Sequence, residues 1–429
     1  MRTQRPRLPG GFDMKRVLLH CVGSAGDVLP FIAIARALQA RGAAPAIATS
    51  AWFAPLIEQA GVTAIALGSR EDYLAAVHRP GLWHPWRGPR ALWSIVMDQL
   101  PRAVLALDDW LADPDAILVG STLALAVRIA AERGHPDTAT VHLSPACLLS
   151  AERPPRLPGL PRLDALPRWL RRQAMDLVER AAWHALAPDL QSARAAANLP
   201  PLASPLTAWM HSPHRVIAAF PEWFAPAAGD WPARTVQAGF PQWRSDATLS
   251  PELEAFLDDG DPPVVITGGT GYAQAGPFLA SGLDAATSAG ARAVLVCAFR
   301  DALPPLPAGR ALAVGHAPFP ALLPRASAVV HHGGIGTTAA AFAAGVPQCI
   351  SPLAFDQFDN AARVVALGAG VELPRPGRDA ARWARGLERA LRDARLRAAA
   401  DACGVRMRTG GSSASDIADI LLAGYDRSP

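Results

Sequence analysis

Two short apolar runs constrain this chain most: each ends in a glycine turn and then gives way to a helical pattern. Lys15–Val22 runs into Gly23-Ser24-Ala25-Gly26, after which Leu29, Ile32, Ile34, Ala35 and Leu38 recur at helical spacing as far as Arg41-Gly42. Ala326–Val330 runs into His331-His332-Gly333-Gly334, after which Ala339, Phe342 and Ala343 lead to Gly345. Each reads as strand, turn and helix, with a glycine closing the helix. The alternation recurs. Pro45–Thr49 is a strand, followed by a helix carrying Trp52, Phe53 and Ile57. Ala116–Val119, Leu123–Arg133 and Thr138–Leu143 read strand, helix, strand. Pro263–Thr267 is a strand ending in Gly268-Gly269-Thr270-Gly271, with a helix over 276–289 and a strand at Arg292–Cys297. A further strand follows at Pro347–Ser351, and helices are predicted over 167–198, 357–367, 378–397 and 412–423. Strands alternating with helices give an α/β chain whose parallel sheets are covered by helices.

At 429 residues the chain has room for two or three domains. A Pro- and Arg-rich stretch over 150–168 reads as a surface loop, and the chain becomes turn-rich from Pro232 through Pro251. The expected boundary lies near residue 245. It separates an amino-terminal domain (14–241) from a carboxyl-terminal one (251–408), with a last helix (409–429) that could pack back on the first. Open parallel sheets bind ligands beyond the carboxyl ends of their strands, so both glycine turns are expected to face one cleft.

Composition removes several classes. Half of the residues are apolar and 18% are charged, which excludes intrinsic disorder. A net charge of +4, from 41 basic and 37 acidic residues, leaves no nucleic-acid footprint. Lys15 is the sole lysine, so the basic charge is carried by Arg. The five cysteines are dispersed and form no CxxC pair, which argues against a disulfide framework or a zinc site. Residues 1–13 have basic residues but no apolar core, so no secretory signal is expected, and Met14 is an alternative start. The uncharged run from Ala326 to Phe355 is broken by His331, His332, four glycines and Pro347, unlike a membrane span. The expected location is the cytoplasm, with peripheral contact with the inner membrane or a partner protein as an option.

The segment His331 to Thr338 carries the clearest chemistry. Its glycines let a ligand approach the backbone, and amides at a helix start bind anions. The threonine hydroxyls and a histidine add hydrogen-bond donors. Together they suit a diphosphate, without a metal. Downstream, Asp356-Gln357 at a strand–helix junction offers acceptors and a donor that suit sugar hydroxyls, or else a helix N-cap. In the first turn, Asp27 could accept a proton from an attacking hydroxyl if burial raises its pKa, or could serve only as a cap. Trp83, Trp86 and Trp93 cluster in a region that could line an apolar groove or pack in the core.

The stretch from His332 to Gln357 resembles the donor-binding motif of family 1 nucleotide-sugar glycosyltransferases, enzymes of the GT-B fold with two Rossmann-like domains facing a cleft. The resemblance implies that His332, Gly333, Gly334, Gly336, Thr337 and Thr270 surround the donor diphosphate. It implies that His316 and Ala317 hold the base, and that Asp356 and Gln357 hold the sugar. Plant members carry a Glu on the ribose hydroxyls where this chain has Ala340, which fits a dTDP-sugar, with UDP-sugars still open. Gly23 to Pro30 looks like the bacterial Gly-x-x-Gly-Asp-x-x-Pro turn, with Asp27 as catalytic base. Trp209 to Pro213, Phe220 to Pro226, Asp230 to Pro232 and Gly239 to Pro241 resemble the rhamnosyltransferase B subunits of rhamnolipid synthesis.

The resemblance therefore implies an inverting transfer of L-rhamnose from dTDP-L-rhamnose to a lipid such as 3-(3-hydroxyalkanoyloxy)alkanoate, with no metal or other cofactor. The alternatives are a transferase for a sterol, macrolide or other natural product, and a non-catalytic nucleotide-sugar-binding partner. A nicotinamide dehydrogenase is disfavoured. The first turn lacks the full GxGxxG pattern, and no acidic residue ends the second strand.

Overall fold

The first sheet has seven parallel strands: β1 (Arg16–His20), β2 (Ala44–Ser50), β3 (Thr63–Leu67), β4 (Ile117–Ser121), β5 (Thr138–His142), β6 (Arg215–Ala219) and β7 (Thr235–Ala238). In this computed structural model, which describes residues 14–160, 163–202, 205–243, 247–411 and 413–423, they lie in the order β3-β2-β1-β4-β5-β6-β7. Leu18 of β1 stands opposite Ala46 of β2 and Leu118 of β4. Val17, Leu18 and Leu19 are all fully buried. Val17 and Leu19 pack with Phe31 and Ile47 on one face, and Leu18 packs with Trp93 and Leu125 on the other. Burial on both faces explains the unbroken apolar run in the sequence.

The second sheet is also parallel: β8 (Val264–Thr267), β9 (Ala293–Val296), β10 (Ala311–Val314), β11 (Ala328–His331), β12 (Gln348–Ile350) and β13 (Gly370–Glu372). Its order is β10-β9-β8-β11-β12-β13. Strand order therefore reverses between β1 and β4 in one sheet and between β8 and β11 in the other. The first turn of the helix after β1 holds Asp27, and the turns after β8 and β11 hold Thr270 and His332. Each glycine turn thus leaves a strand that borders a reversal, where open sheets bind ligands.

Gly345 adopts φ +69° and ends the Ile335–Ala344 helix in the left-handed conformation that glycine favours. The single helix expected over 378–397 is instead two, Ala380–Arg392 and Ala394–Thr409. Asp393 between them has extended backbone, and its carboxylate accepts from the Arg395 and Leu396 N–H groups at 3.0 and 3.3 Å. An N-cap competes here with a continuous helical pattern and wins. The Arg70–Val77 and Gly88–Leu111 helices and strands β3, β6, β10 and β13 have no counterpart in the sequence reading, and β7 lies in the stretch expected to be turn-rich from Pro232. The junction expected near residue 245 falls in 244–246, outside the described residues, as do 1–13 and 424–429. No helix among the described residues is long and apolar enough to cross a membrane.

The Ser413–Leu422 helix lies against the Ala25–Gln39 helix, with Ile417, Ala418 and Leu421 fully buried in the core of the first sheet. Arg215 Nη1 donates to the carbonyls of Ile420 and Leu421 at 3.2 and 2.8 Å, filling acceptors that a helix end leaves open. Removing one methylene from this contact is expected to be felt. Ile417→Val should lower stability by about 0.5–1.5 kcal/mol, read as a lower denaturant midpoint at unchanged slope.

Candidate active site

Between the two sheets lies a cleft of about 2200 Å³ whose walls include both glycine turns. The turns approach closely. A Cβ built on Gly336 would lie 3.1 Å from Gly26 Cα, so two helix N-termini from opposite halves nearly touch. Ala25 N–H also donates across the cleft to Thr270 Oγ1 at 3.2 Å.

On the carboxyl-terminal side, Gly334 precedes the Ile335–Ala344 helix, which leaves its first-turn N–H groups without intrahelical partners. Gly336 and Thr337 of that turn are part-exposed and line the cleft. His332 is buried, lines the cleft, and has an Nδ1 without a hydrogen-bond partner among the described residues. Burial lowers its pKa to about 4, so it presents a neutral imidazole. The ring sits in a slot made by missing side chains. A Cβ on Gly269 would lie 2.5 Å from His332 Cε1, and one on Gly334 would lie 2.5 Å from its Nε2.

Other residues of the motif do different work. Gly333 has φ +93°, and a Cβ there would lie 2.9 Å from Ile350 Cγ2, so packing requires this glycine. His331 is fully buried with its Nε2 3.0 Å from Gln348 Oε1, and its Nδ1 accepts from Gly333 N–H at 3.2 Å. Thr338 is fully buried as well. Of the two histidines and two threonines in the motif, only His332 and Thr337 line the cleft, because strand and helix periodicity turns their neighbours inward.

The sugar-side pair divides its duties. Gln357 Oε1 accepts from the Leu353 and Ala354 N–H groups at 2.9 and 3.1 Å, which leaves its amide nitrogen as the group on offer. Asp356 Oδ2 accepts from Asn360 Nδ2 at 2.8 Å, and burial raises its pKa. Asn360 Nδ2 also donates to the Gly333 carbonyl at 2.9 Å, tying the Asp356 carboxylate to the turn that carries His332. Sequence reasoning missed Asn360 as a site residue. Its one signal was the i, i+4 spacing from Asp356. His316 is exposed and Ala317 buried, and both line the cleft beyond β10.

Across the cleft, Asp27 stands at the third position of the Ala25–Gln39 helix in a capping box with Ser24. Ser24 N–H and Oγ–H donate to its Oδ2 at 2.7 and 3.2 Å. Its Oδ1 has no such bond from the described residues. Gly23 makes room for the carboxylate, since at φ +142° a Cβ there would lie 2.1 Å from Asp27 Oδ2. Burial raises the Asp27 pKa to about 6, against the Ser24 N–H bond that lowers it, and the Asp356 charge adds to the rise. Cys147, whose thiol is raised to about 12 chiefly by burial, feels both carboxylates, so Asp27 and Asp356 share one niche. Among the described residues no cluster of three His, Cys, Asp or Glu could hold a metal ion.

Two family descriptions match this chain. Residues 17–133 match the glycosyltransferase family 28 N-terminal domain, and residues 288–420 match the C-terminal domain of erythromycin biosynthesis protein CIII-like proteins. O-mycaminosyltylonolide 6-deoxyallosyltransferase of Streptomyces fradiae is 32% identical over 85% of this chain and 87% of its own length. Vancomycin aglycone glucosyltransferase of Amycolatopsis orientalis is 30% identical over 83% of this chain and 85% of its own. Neither bears the name of a rhamnolipid enzyme, so the finer resemblance to rhamnolipid rhamnosyltransferases has no counterpart in these relatives. The crystal structure of the glycosyltransferase VinC in complex with dTDP superposes with TM-score 0.64 at 21% identity, covering 95% of this chain and 98% of that one. Sequence relationship over most of the chain, together with two parallel sheets facing one cleft, establishes that the chain belongs to the GT-B nucleotide-sugar glycosyltransferases.

Proposed function

We propose that the chain transfers a sugar from a dTDP-sugar to a hydroxyl of a large apolar natural product of the macrolide or glycopeptide kind, with inversion at the anomeric carbon. The observation that carries this reading is the opposition of Asp27 to His332 and Asp356 across the cleft. The neutral imidazole of His332, the first-turn amides and the Thr337 hydroxyl grip the diphosphate. The Asp356 carboxylate and the Gln357 amide hold sugar hydroxyls. Asp27 Oδ1 takes the proton of the acceptor hydroxyl while the acceptor oxygen bonds C1 and the C1–O bond to the β-phosphate breaks. Preorganised donors take up the charge of the departing diphosphate without a metal. Ala340 lines the cleft and offers no acceptor for a ribose hydroxyl, which supports a deoxyribose nucleotide. Leu29, Trp52, Leu56 and Leu92 on the Asp27 side of the cleft favour an apolar acceptor.

The test incubates the chain with dTDP-L-rhamnose, dTDP-glucose or UDP-glucose and a set of acceptors. These are a tylonolide-type macrolide, vancomycin aglycone and 3-(3-hydroxyalkanoyloxy)alkanoate. Mass spectrometry reads the products. A macrolide or glycopeptide glycoside of inverted configuration, formed equally well with EDTA, is the expected result. A product with the acylated acid alone would replace the acceptor by a lipid. Nucleotide binding without any product would favour a binding partner over an enzyme, and strong EDTA inhibition would overturn the metal-free mechanism.

A further inference from the structure

Residues 78–87 join the Arg70–Val77 helix to the Gly88–Leu111 helix and reach the other half through Trp83 and His78. The segment is tightly pinned. Gly81 has φ +78°, and a Cβ on Gly88 would lie 2.4 Å from the Leu82 carbonyl oxygen and 3.4 Å from Phe355 Cε1. His78 meets Phe299 edge-on at 5.6 Å between ring centroids. At the centre is Trp83. Its Nε1–H donates to the Gly271 carbonyl at 3.1 Å, and its ring centroid lies 5.2 Å from Tyr272, 5.8 Å from Phe355 and 6.1 Å from His332.

Those neighbours come from the turns after β8 and β11 and from the segment after β12. The same turns carry Thr270 and His332, and Phe355 immediately precedes Asp356. Phe355 holds φ +57°, a left-handed conformation that costs a non-glycine residue free energy and persists only where the surroundings enforce it. A sugar bridging His332 and Asp356 would therefore meet one indole from the opposite half. Trp83 and Phe355 both line the cleft, and an aromatic wall gives water no polar partners.

We propose that Trp83 is the donor-sugar contact supplied by the amino-terminal half, forming with Phe355 an apolar wall that keeps water from the anomeric carbon. The inference rests on the nucleotide-sugar reading of the site. In transfer, the acceptor oxygen bonds C1 as the bond to the β-phosphate breaks. In hydrolysis, a water oxygen does the same and its proton passes to Asp27 or solvent. The two outcomes differ only in which oxygen reaches C1, so the wall decides between them.

The test compares the parent, Trp83→Ala and Trp83→Phe, each checked for folding by thermal unfolding. Two quantities are measured: the affinity for dTDP by calorimetry, and the rate of dTDP release from dTDP-L-rhamnose and from dTDP-glucose without acceptor. Trp83→Ala is expected to leave dTDP affinity within about threefold and to raise hydrolysis at least about tenfold, the low end of what one apolar pocket contact contributes. Trp83→Phe keeps a ring but loses the N–H donor, and is expected to hydrolyse near the parent rate. Unchanged hydrolysis in a folded Trp83→Ala protein would overturn the wall while leaving the nucleotide reading intact. Fast hydrolysis in Trp83→Phe as well would overturn it in favour of a hydrogen-bonded latch to Gly271. Should Trp83→Ala not fold, Trp83→Leu takes its place, with the same outcomes read. A parent that binds neither dTDP nor UDP would instead remove the nucleotide reading itself.

Discussion

Asp27→Asn is expected to lower kcat/KM by about 10²–10⁴-fold, the range that a positioned general base contributes, while the affinity for dTDP stays within a few fold. The substitution is a clean one. Asn keeps an oxygen able to accept from Ser24 N–H, the 2.7 Å bond that closes the capping box, so the Ala25–Gln39 helix retains its start. What is lost is the proposed proton acceptor. The pH profile provides a second readout with a definite sign. The Asp27 pKa is raised to about 6 by burial and by the Asp356 charge, and only the ionised form can take a proton. In the parent, kcat/KM should therefore rise with pH up to about 6 and level off above it. In Asp27→Asn that ascending limb should vanish. Turnover undiminished in the variant, with the limb intact, would assign the proton to another group.

Much of this site could be read along the chain because its parts are local. A strand, a glycine turn and a helix lie within a dozen residues, and the left-handed Gly345 is a local demand of the helix end. The order of strands was not local, yet the turns leaving β1, β8 and β11 fell at the reversals because each sheet begins at its centre and builds outward in both directions. Three things depended on distance in space and were not legible. The first is the work of the other histidine: the resemblance singles out His332 for the cleft, and only the structure shows that His331 is spent on Gln348 and Gly333. The second is how a polar side chain divides its atoms. Gln357 uses its carbonyl oxygen on two backbone amides, which no spacing rule foretells. The third is the meeting of the halves. Trp83 read as one of three tryptophans that could line a groove or fill the core. The structure separates them: Trp93 is 3% exposed and packed inside, Trp86 is 62% exposed, and Trp83 crosses to the second half. Asp27, for its part, is both a cap and a cleft residue, so the plain and the functional reading of that residue were not exclusive.

His332→Ala is the second large expected effect, and it tests the opposite wall. The imidazole occupies a slot that Gly269 and Gly334 leave open, with Nδ1 buried and unpartnered among the described residues. A buried polar atom without a partner is costly and calls for an explanation, and the proposed diphosphate would supply one. Deleting a preorganised donor of this kind lowers kcat by about 10²–10³-fold. A hydrogen bond to a charged group contributes about 1.5–3 kcal/mol, so dTDP should bind at least about tenfold more weakly. The sign of the pH effect separates a neutral donor from a cationic one. Burial lowers the His332 pKa to about 4, so above that pH the free enzyme carries no charge to lose. The kcat/KM profile, which reports the free enzyme, should show no descending limb near the usual histidine pKa of about 6.5. A descending limb there that disappears in His332→Ala would mean that an imidazolium binds the diphosphate. Unchanged dTDP affinity in the variant would move the diphosphate away from this turn altogether.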